Sequence, residues 1–125
     1  DIAWIASSLQ VSPREQAAFL RKVANRELPV SAHAFDMTAQ LLRLPTLADG
    51  WQVYGKTGTA SGDGAGDNRR ALGWFVGWAT KDGRPVVFAR QTFGPRDPDR
   101  AAGPLLKERF LRALPGRLAT LSPST

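Results

Sequence analysis

The sequence feature that most constrains the fold is the apolar run from Leu72 to Ala79. In an extended chain, successive side chains point to opposite faces. One face of this run would carry Leu72, Trp74, Val76 and Trp78, and the other would carry Gly73, Phe75, Gly77 and Ala79. A strand that is apolar on both faces belongs in the middle of a sheet, and both faces then need helices to cover them.

Turn signals place one strand on either side of this run. A strand is predicted over residues 51–60, in which residues 51–54 enter the sequence Gly55-Lys56-Thr57-Gly58, and residues 61–70 are too rich in Gly and Asp for anything but a loop. The Asp82-Gly83 turn then begins a return strand over residues 85–89. The three strands are therefore predicted to be antiparallel.

Three helices are predicted from capping residues and from apolar side chains at three- and four-residue spacing. The first begins with the capping box Ser12-Pro13-Arg14-Glu15, the second begins at Ser31, and the last ends at Pro115-Gly116. The side chains predicted to share the apolar faces are Phe19, Leu20, Val23 and Ala24; Ala34, Phe35, Thr38, Leu41 and Leu42; and Leu106, Phe110, Ala113 and Leu114.

The order helix, helix, three strands, helix predicts an α+β fold, in which helices flank an antiparallel sheet. Residues 1–116 form one structural unit in this interpretation, and residues 117–125 form a frayed tail. The first residues contain no initiator Met, no basic leader and no long apolar run. We therefore expect neither a signal peptide nor a membrane span within this sequence.

The composition of the 125 residues limits the available chemistry. The absence of Cys excludes disulfides, thiolate nucleophiles and iron–sulfur clusters. The single His, His33, has no Cys, His or paired carboxylate at ligand spacing and reads as a surface residue. Asp63, Asp67 and Asn68 lack the residue order of a calcium loop. No metal site is predicted, and the chemistry must use Lys, Ser, Thr or carboxylates.

The formal net charge of +6 makes nucleic-acid binding an alternative function. Seven of the basic side chains fall within residues 90–117. No run of basic residues is longer than a pair, however, and a solvated basic surface explains the pattern better. We therefore expect no nucleic-acid partner, and steeply salt-dependent DNA binding would be the evidence against this expectation.

Residues Gly50 to Thr57 satisfy the pattern G-x-x-x-x-G-K-T of phosphate-binding loops. Such a loop needs small residues whose N–H groups wrap a phosphate, with a strand before it and a helix after it. Here the interior is Trp-Gln-Val-Tyr, and the flanking sequences fit neither element. Nucleotide binding is therefore not favoured for this segment.

When the segment is read from Lys56, it becomes Lys-Thr-Gly at the end of a strand, followed by Thr59. Such a strand offers an ammonium group, a hydroxyl, a glycine that lets another backbone approach, and an N–H beyond it. These groups suit an anionic acyl substrate, although a turn with a solvated Lys remains the alternative. Trp51 and Tyr54 flank the motif, and they either line the pocket or only pack within the strand.

Four sequence blocks in a fixed order resemble the class D, oxacillinase-type serine β-lactamases, and nearly as well the β-lactam sensor domains of the same fold. The blocks are residues 4–16, 19–22, 54–59 and 73–78, which read WIASSLQVSPREQ, FLRK, YGKTGT and GWFVGW. The resemblance covers residues 4–92 closely and the last predicted helix by position and pattern. It implies that residues 1–116 are the C-terminal portion of a β-lactamase-like domain.

The resemblance also implies roles for individual residues. Lys56, Thr57 and Gly58 match the K-T-G element, in which Lys56 orients or activates a Ser hydroxyl and Thr57 binds a substrate carboxylate. Thr59 matches the residue whose N–H forms half of the oxyanion hole. Trp74 and Trp78 match core residues of the central strand. A basic residue of the last helix is implied to bind the substrate carboxylate; Lys107 fits best by helix phase, and Arg100 and Arg109 compete with it.

The sequence departs from the family because it contains no S-x-x-K motif. In the family this motif supplies the nucleophilic Ser and a Lys, carboxylated in class D, that acts as the base. Both lie upstream of the segment that matches Trp4. We therefore expect two partners, which are the β-lactam substrate and the N-terminal half of the same domain. We expect no cofactor apart from a carboxylated Lys, which would lie on that missing segment.

The function implied by the resemblance is antibiotic resistance, through hydrolysis of the β-lactam amide of penicillin-type antibiotics by way of an acyl-enzyme. This chain would supply the K-T-G strand and would be inactive alone. A β-lactam sensor or penicillin-binding domain that is acylated but not turned over is the alternative. The resemblance further implies a periplasmic location.

Overall fold

The computed structural model of the chain describes residues 11–61 and 70–121. Its elements are the helices α1 (Pro13–Ala24) and α2 (Ala32–Leu42), the strands β1 (Gln52–Ser61), β2 (Arg70–Lys81) and β3 (Arg84–Pro95), and the helix α3 (Ala102–Thr120). This order confirms the predicted α+β arrangement. The predicted loop residues Asp63, Asp67 and Asn68 lie outside the described residues, as does Trp4.

The three strands form one antiparallel sheet in the order β1-β2-β3. The run that is apolar on both faces therefore occupies the central strand, as predicted. Pairing is continuous from Gln52↔Thr80 to Ser61↔Ala71 on one side of β2. On the other side it extends from Lys81↔Arg84, next to the Asp82-Gly83 turn, to Arg70↔Pro95.

Helix α3 covers one face of the sheet and forms the main core with it. The buried side chains of this core are Val53, Phe75, Ala79 and Phe88 from the strands and Phe110, Leu114 and Leu118 from α3. The rings of Phe75, Phe88 and Phe110 contact one another, with centroids 4.7–5.8 Å apart. Burial of large apolar side chains, each worth about 1.5–3 kcal/mol, stabilises α3 on the sheet.

Helices α1 and α2 pack toward the opposite face of the sheet, and each buries one large side chain, Leu20 and Phe35 respectively. On this face Tyr54 stacks on Trp78 with their ring centroids 5.0 Å apart. Trp78 is buried, as predicted. The prediction that Trp74 is also a core residue is wrong, because this side chain is only half-buried and lines a surface cleft.

The predicted end of the last helix at Pro115-Gly116 is wrong, and so is a tail that frays from residue 117. Helix α3 continues through Pro115 to Thr120, and Leu118 is 1% exposed. Proline inside a helix removes one hydrogen bond and costs about 3 kcal/mol. Burial of Leu118 against the core offsets much of this cost. No helix among the described residues is long and apolar enough to cross a membrane.

Four side chains that are predicted to share the apolar helix faces are exposed instead: Phe19, Thr38, Leu41 and Ala113. Phe19 on α1 is 52% exposed and Leu41 on α2 is 81% exposed. With 3.6 residues per turn, Leu41 lies about 240° around the helix from the buried Phe35 and so points away from the sheet. Met37, on the same outer side of α2, is 41% exposed. Helix α2 is therefore apolar on two sides, and the described chain covers only one of them.

Candidate active site

The Lys56-Thr57-Gly58 motif lies inside a strand rather than at its end. The strand predicted over residues 51–60 is confirmed by β1 (Gln52–Ser61), which stays paired with β2 beyond the motif, so only the placement of the motif at the end of the strand is wrong. Thr57 pairs with Phe75 and Gly58 pairs with Trp74 of the central strand. The motif is thus held in a fixed extended conformation by its neighbour.

Strand β1 is an edge strand, and hydrogen bonds at its start show which amides face outward. Leu44 donates its N–H to the carbonyl of Val53 at 2.8 Å, and Leu47 donates to Trp51 at 2.9 Å, both on the side away from β2. Inward and outward residues alternate along an antiparallel strand. Thr57 and Thr59 consequently direct their N–H and C=O groups to the open edge, which is where an oxyanion-binding N–H of Thr59 would be needed.

The side chains of the motif alternate between the two faces of the sheet. Lys56 and Gly58 lie on the face of α1 and α2, and Thr57 and Thr59 lie on the face of α3. The Lys56 ammonium nevertheless returns to the open edge, where Nζ donates a hydrogen bond to the Thr57 carbonyl at 2.7 Å. A cationic group, a hydroxyl and an outward N–H therefore meet at one edge.

A cleft of about 290 Å³ opens beside this edge. It is lined by Val11, Gln16, Lys56, Thr57, Gly58, Trp74 and Val76. Trp74 supplies an apolar wall next to the Lys56 ammonium, a role that sequence reasoning missed by assigning it to the core. It lies opposite Gly58, which has no side chain to cover it, and this pairing depends on the strand register, so no local sequence signal identifies the role.

Gly58 leaves open space beside the strand. A Cβ added at this position would meet Trp74 Cβ at 3.8 Å, which is an ordinary van der Waals distance. Packing within the described chain therefore does not require glycine here. The absence of a side chain keeps the cleft accessible, so that a ligand can approach the strand backbone closely.

The N-terminus of α1 forms another wall of the cleft and is held by the predicted capping box. The Ser12 N–H donates to Glu15 Oε2 at 2.7 Å, and the Glu15 N–H donates to Ser12 Oγ at 3.2 Å. The hydrogen bond from the Ser12 backbone lowers the pKa of the Glu15 carboxyl. Because Val11 and Gln16 flank the box, it fixes the side chains that they contribute to the cleft.

The three candidates for binding a carboxylate occupy different positions. Lys107 is half-buried on the sheet-facing side of α3, four residues after Gly103, whereas Arg109 is exposed on the outer side. Arg100 precedes α3 and forms an ion pair with Glu108, and its hydrogen bond lowers the pKa of that carboxyl. Among the three, the placement of Lys107 favours it.

A second cleft, of about 430 Å³, lies at the end of the sheet where α3 begins. Its lining includes Thr59 and the basic side chains of Arg70, Arg96 and Arg100. Asp97 and Asp99 also line it, so the charge of this cleft is mixed. Arg100 is therefore close to the Thr59 end of the strand, but it is already paired with Glu108.

The other residues considered from the sequence lie away from the cleft beside Lys56. Tyr54 stacks on Trp78 and donates its hydroxyl to Gln52 Oε1 at 3.1 Å, and Trp51 packs against the main core. Strand packing thus explains both aromatic residues. His33 is exposed on α2. Within residues 11–61 and 70–121 no group of three or more His, Cys, Asp or Glu side chains could hold a metal ion.

Comparisons with known proteins identify relatives of this fold. Residues 1–114 match the family model described as the penicillin binding protein transpeptidase domain. The chain is 41% identical over 116 residues to β-lactamase OXA-9 of Klebsiella pneumoniae, and this alignment covers 90% of this chain and 42% of that protein. It is 40% identical over 94 residues to β-lactamase OXA-1 of Escherichia coli, covering 74% of this chain and 33% of that protein.

Solved structures show the same similarity. The OXA-427 class D β-lactamase superposes with a TM-score of 0.83 at 39% identity, over 96% of this chain and 50% of that one. The C-terminal domain of the Bacillus licheniformis BlaR penicillin-receptor superposes with a TM-score of 0.74 at 30% identity, over 88% of this chain and 42% of that one. The chain therefore spans half or less of the length of these relatives.

Proposed function

The chain belongs to the penicillin-binding protein transpeptidase domain family and matches the C-terminal part of its class D β-lactamases, and from this premise we propose that it forms one half of a serine β-lactamase site. In this proposal β1 supplies Lys56, Thr57, Gly58 and the Thr59 N–H, and another segment supplies the nucleophilic Ser and the base. The observation that carries the proposal is the convergence of the Lys56 ammonium and the outward Thr59 amide at one open strand edge.

The proposed reaction proceeds through an acyl-enzyme. The Ser oxygen bonds to the β-lactam carbonyl carbon, its proton passes to the base, and the carbonyl oxygen becomes an oxyanion that the Thr59 N–H stabilises. The ring C–N bond then breaks and its nitrogen takes up the proton. Water attacks the resulting ester, which releases the opened acid and restores the Ser. A carboxylated Lys on the other segment would be the base in both steps.

Binding of the substrate uses the remaining groups of this chain. The Lys56 ammonium attracts the anionic substrate and holds the Ser hydroxyl, and the Thr57 hydroxyl donates a hydrogen bond to the substrate carboxylate. Lys107, on the same face as Thr57, supplies a positive charge to that carboxylate. Trp74 contacts apolar parts of the substrate in the cleft. Arg100 and Arg109 are the competing candidates for the role of Lys107.

The proposal requires a partner segment, and the surface of α1 and α2 suits one. Phe19, Met37 and Leu41 expose 52%, 41% and 81% of their surfaces on the outer sides of these helices. An apolar surface of this kind indicates an interaction site. The solved class D relative has about twice the length of this chain, which provides enough sequence to cover that surface. We therefore propose that the N-terminal half of the same domain covers this surface.

Turnover of a chromogenic cephalosporin by the complete domain, meaning this chain joined to that half, tests the proposed activity. We expect continuous hydrolysis, with an acyl-enzyme that does not accumulate to the full enzyme concentration. Absence of both acylation and hydrolysis would contradict the proposal. From the family we also propose a periplasmic location. The complete domain used in this assay would therefore be produced by export to the periplasm.

A second candidate function is a β-lactam sensor, and the similarity to the BlaR penicillin-receptor domain favours it. A sensor is acylated by the same site but is not turned over. Stoichiometric acylation followed by deacylation far slower than acylation would support the sensor and exclude the hydrolase. Measuring the deacylation rate of the complete domain therefore decides between the two.

A further inference from the structure

We propose that Thr59 is a positioning residue whose hydroxyl ties the first turn of α3 to β1 and thereby sets the distance between Lys107 and the K-T-G strand. This role of the side chain is separate from that of the Thr59 backbone N–H. The part of the proposal that concerns substrate rests on the proposed function, but the contact itself does not.

Helix α3 lacks a capping side chain of its own. Its N-cap residue is Ala101, which has no side-chain hydrogen-bonding group, and α3 carries no acidic residue in its first turn. The N–H groups of the first turn of a helix have no partner within the helix. The Gly103 N–H finds one outside the helix, because it donates to Thr59 Oγ1 at 2.8 Å. Thr59 therefore caps α3 from a different element, 44 residues away in sequence.

The backbones of the helix and the strands are in close contact at this point. A Cβ at Gly103 would lie 2.5 Å from the Gly58 carbonyl oxygen and 2.9 Å from Thr59 Oγ1. A Cβ at Gly73, which pairs with Thr59 across the sheet, would lie 2.8 Å from the Ala102 carbonyl carbon. Two glycines thus allow a close approach that the Thr59 hydrogen bond then holds in one position.

The consequence for the site follows from helix and strand geometry. Four helical residues from Gly103 to Lys107 rise about 6 Å. The two strand residues from Thr59 back to Thr57 span about 7 Å. Helix α3 runs from the Thr59 end of β1 toward the Val53 end, so Lys107 lies at the level of Thr57 on the same face. A shift of the first turn would move Lys107 away from the carboxylate that Thr57 binds.

The test uses three variants of the complete domain. Thr59→Val keeps the shape and the backbone N–H but removes the acceptor, Thr59→Ser restores the acceptor, and Thr92→Val is the matched control. Thr92 lies on the same face of the sheet in β3, the strand on the other side of β2, where it also pairs with Gly73, and it is exposed. Within the described residues its hydroxyl makes no hydrogen bond.

The first readout is hydrogen exchange of the Gly103 amide. We expect Thr59→Val to accelerate this exchange about fivefold, as loss of one hydrogen bond predicts, while Thr59→Ser and Thr92→Val leave it unchanged. Equal Gly103 exchange in Thr59→Val and the unmodified domain would overturn the proposed tie. This readout needs no enzymatic activity, so it separates failure of this proposal from failure of the proposed function.

The second readout is acylation by a penicillin and by its methyl ester, which lacks the carboxylate. We expect Thr59→Val to lower the second-order rate constant about fivefold for the free acid but not for the ester, and Thr59→Ser to restore it. In the Lys107→Ala background the same change should have no further effect. Thr59 does not act through Lys107 if Thr59→Val lowers the acylation rate constant equally for acid and ester. The same conclusion follows if Thr59→Val lowers the rate constant for the acid just as much in the Lys107→Ala variant.

Discussion

The Lys56 ammonium and the Thr59 backbone amide lie at one edge of the sheet, although the two side chains start on opposite faces. The alternation of the strand explains this, because the groups that meet are a flexible side chain that turns back to the edge and a backbone amide that points there. Two residues that are close in sequence can therefore place a flexible cationic side chain and a fixed backbone hydrogen-bond donor at the same edge of a sheet.

Replacement of Lys56 tests the first of these groups. Lys56→Met in the complete domain keeps the length of the side chain but removes the ammonium, and we expect the rate constant for acylation to fall at least about 100-fold. Stopped-flow acylation by a penicillin measures it. Lys81→Met, at the exposed end of β2, is the matched control and should change the rate less than about twofold. A similar loss in both variants would contradict the role of Lys56.

The capping box makes a prediction about pH. Because the Ser12 backbone bond lowers the pKa of Glu15 in the folded chain, the unfolded chain protonates this carboxylate first as the pH falls. The stabilisation is complete above the ordinary value of 4.5 and is lost as the pH falls through the lower folded value. Thermal melts of the unmodified chain and Glu15→Gln should differ at pH 7 and converge in acid.

Glu27→Gln, which removes an exposed carboxylate beyond the end of α1, is the matched control for the capping box. The melting temperatures of this variant and of Glu15→Gln are compared across the same pH range. An identical pH dependence in the two variants would show that Glu15 does not stabilise α1 through its ionised carboxylate.

Single residues were predictable from the sequence where a short local motif has both the required functional groups and the required spacing between them. Lys56, Thr57 and Gly58 form such a motif, and the capping box at Ser12 and Glu15 forms another. Trp74 and the Thr59 hydroxyl were not predictable, because their positions depend on what covers β2 and on where α3 begins. Contacts between residues distant in sequence have no local signature.

At the scale of elements, the sequence predicted in their order the three helices and three strands found in residues 11–61 and 70–121. Hydrophobic period and turn residues are local, so they can be read without the fold. The end of α3 was missed because proline is a local stop signal, whereas burial of Leu118 is a tertiary effect that overrides it. The exposure of Leu41 was missed for the same reason.

The last turn of α3 gives a direct prediction. Leu118→Ala should lower the free energy of unfolding by about 2–5 kcal/mol, because it opens a cavity beside a side chain that is 1% exposed. Leu121→Ala, three residues later and 56% exposed, should change it by less than about 0.5 kcal/mol. Urea unfolding followed by circular dichroism measures both. Equal effects would mean that residues 117–120 fray after all.

At the scale of the whole molecule, the exposed apolar sides of α1 and α2 and the absence of S-x-x-K lead to the same conclusion. In the proposed account, another segment covers the apolar surface and the same segment supplies the missing nucleophile and base. The net charge of +6 fits an anionic substrate, since Lys56 and Lys107 lie on the strand and helix proposed to bind it.

Replacement of Leu41 tests the proposed contact with that segment. Leu41→Glu should weaken association of this chain with a separately produced N-terminal half at least about tenfold, because a charge would be buried in an apolar contact. Isothermal titration calorimetry measures the affinity. Leu121→Glu places the same charge on an exposed apolar residue of α3 and should leave the affinity unchanged. Unchanged affinity in Leu41→Glu would exclude this surface.

The central claim is that this chain supplies the K-T-G strand to a site whose nucleophile lies elsewhere. Intact-mass spectrometry after incubation with a penicillin tests it most directly. We predict that a fraction of the complete domain transiently gains the mass of one penicillin, and that the isolated 125-residue chain gains none. A covalent penicillin adduct on the isolated chain would contradict the claim, because it would place the nucleophile within these residues.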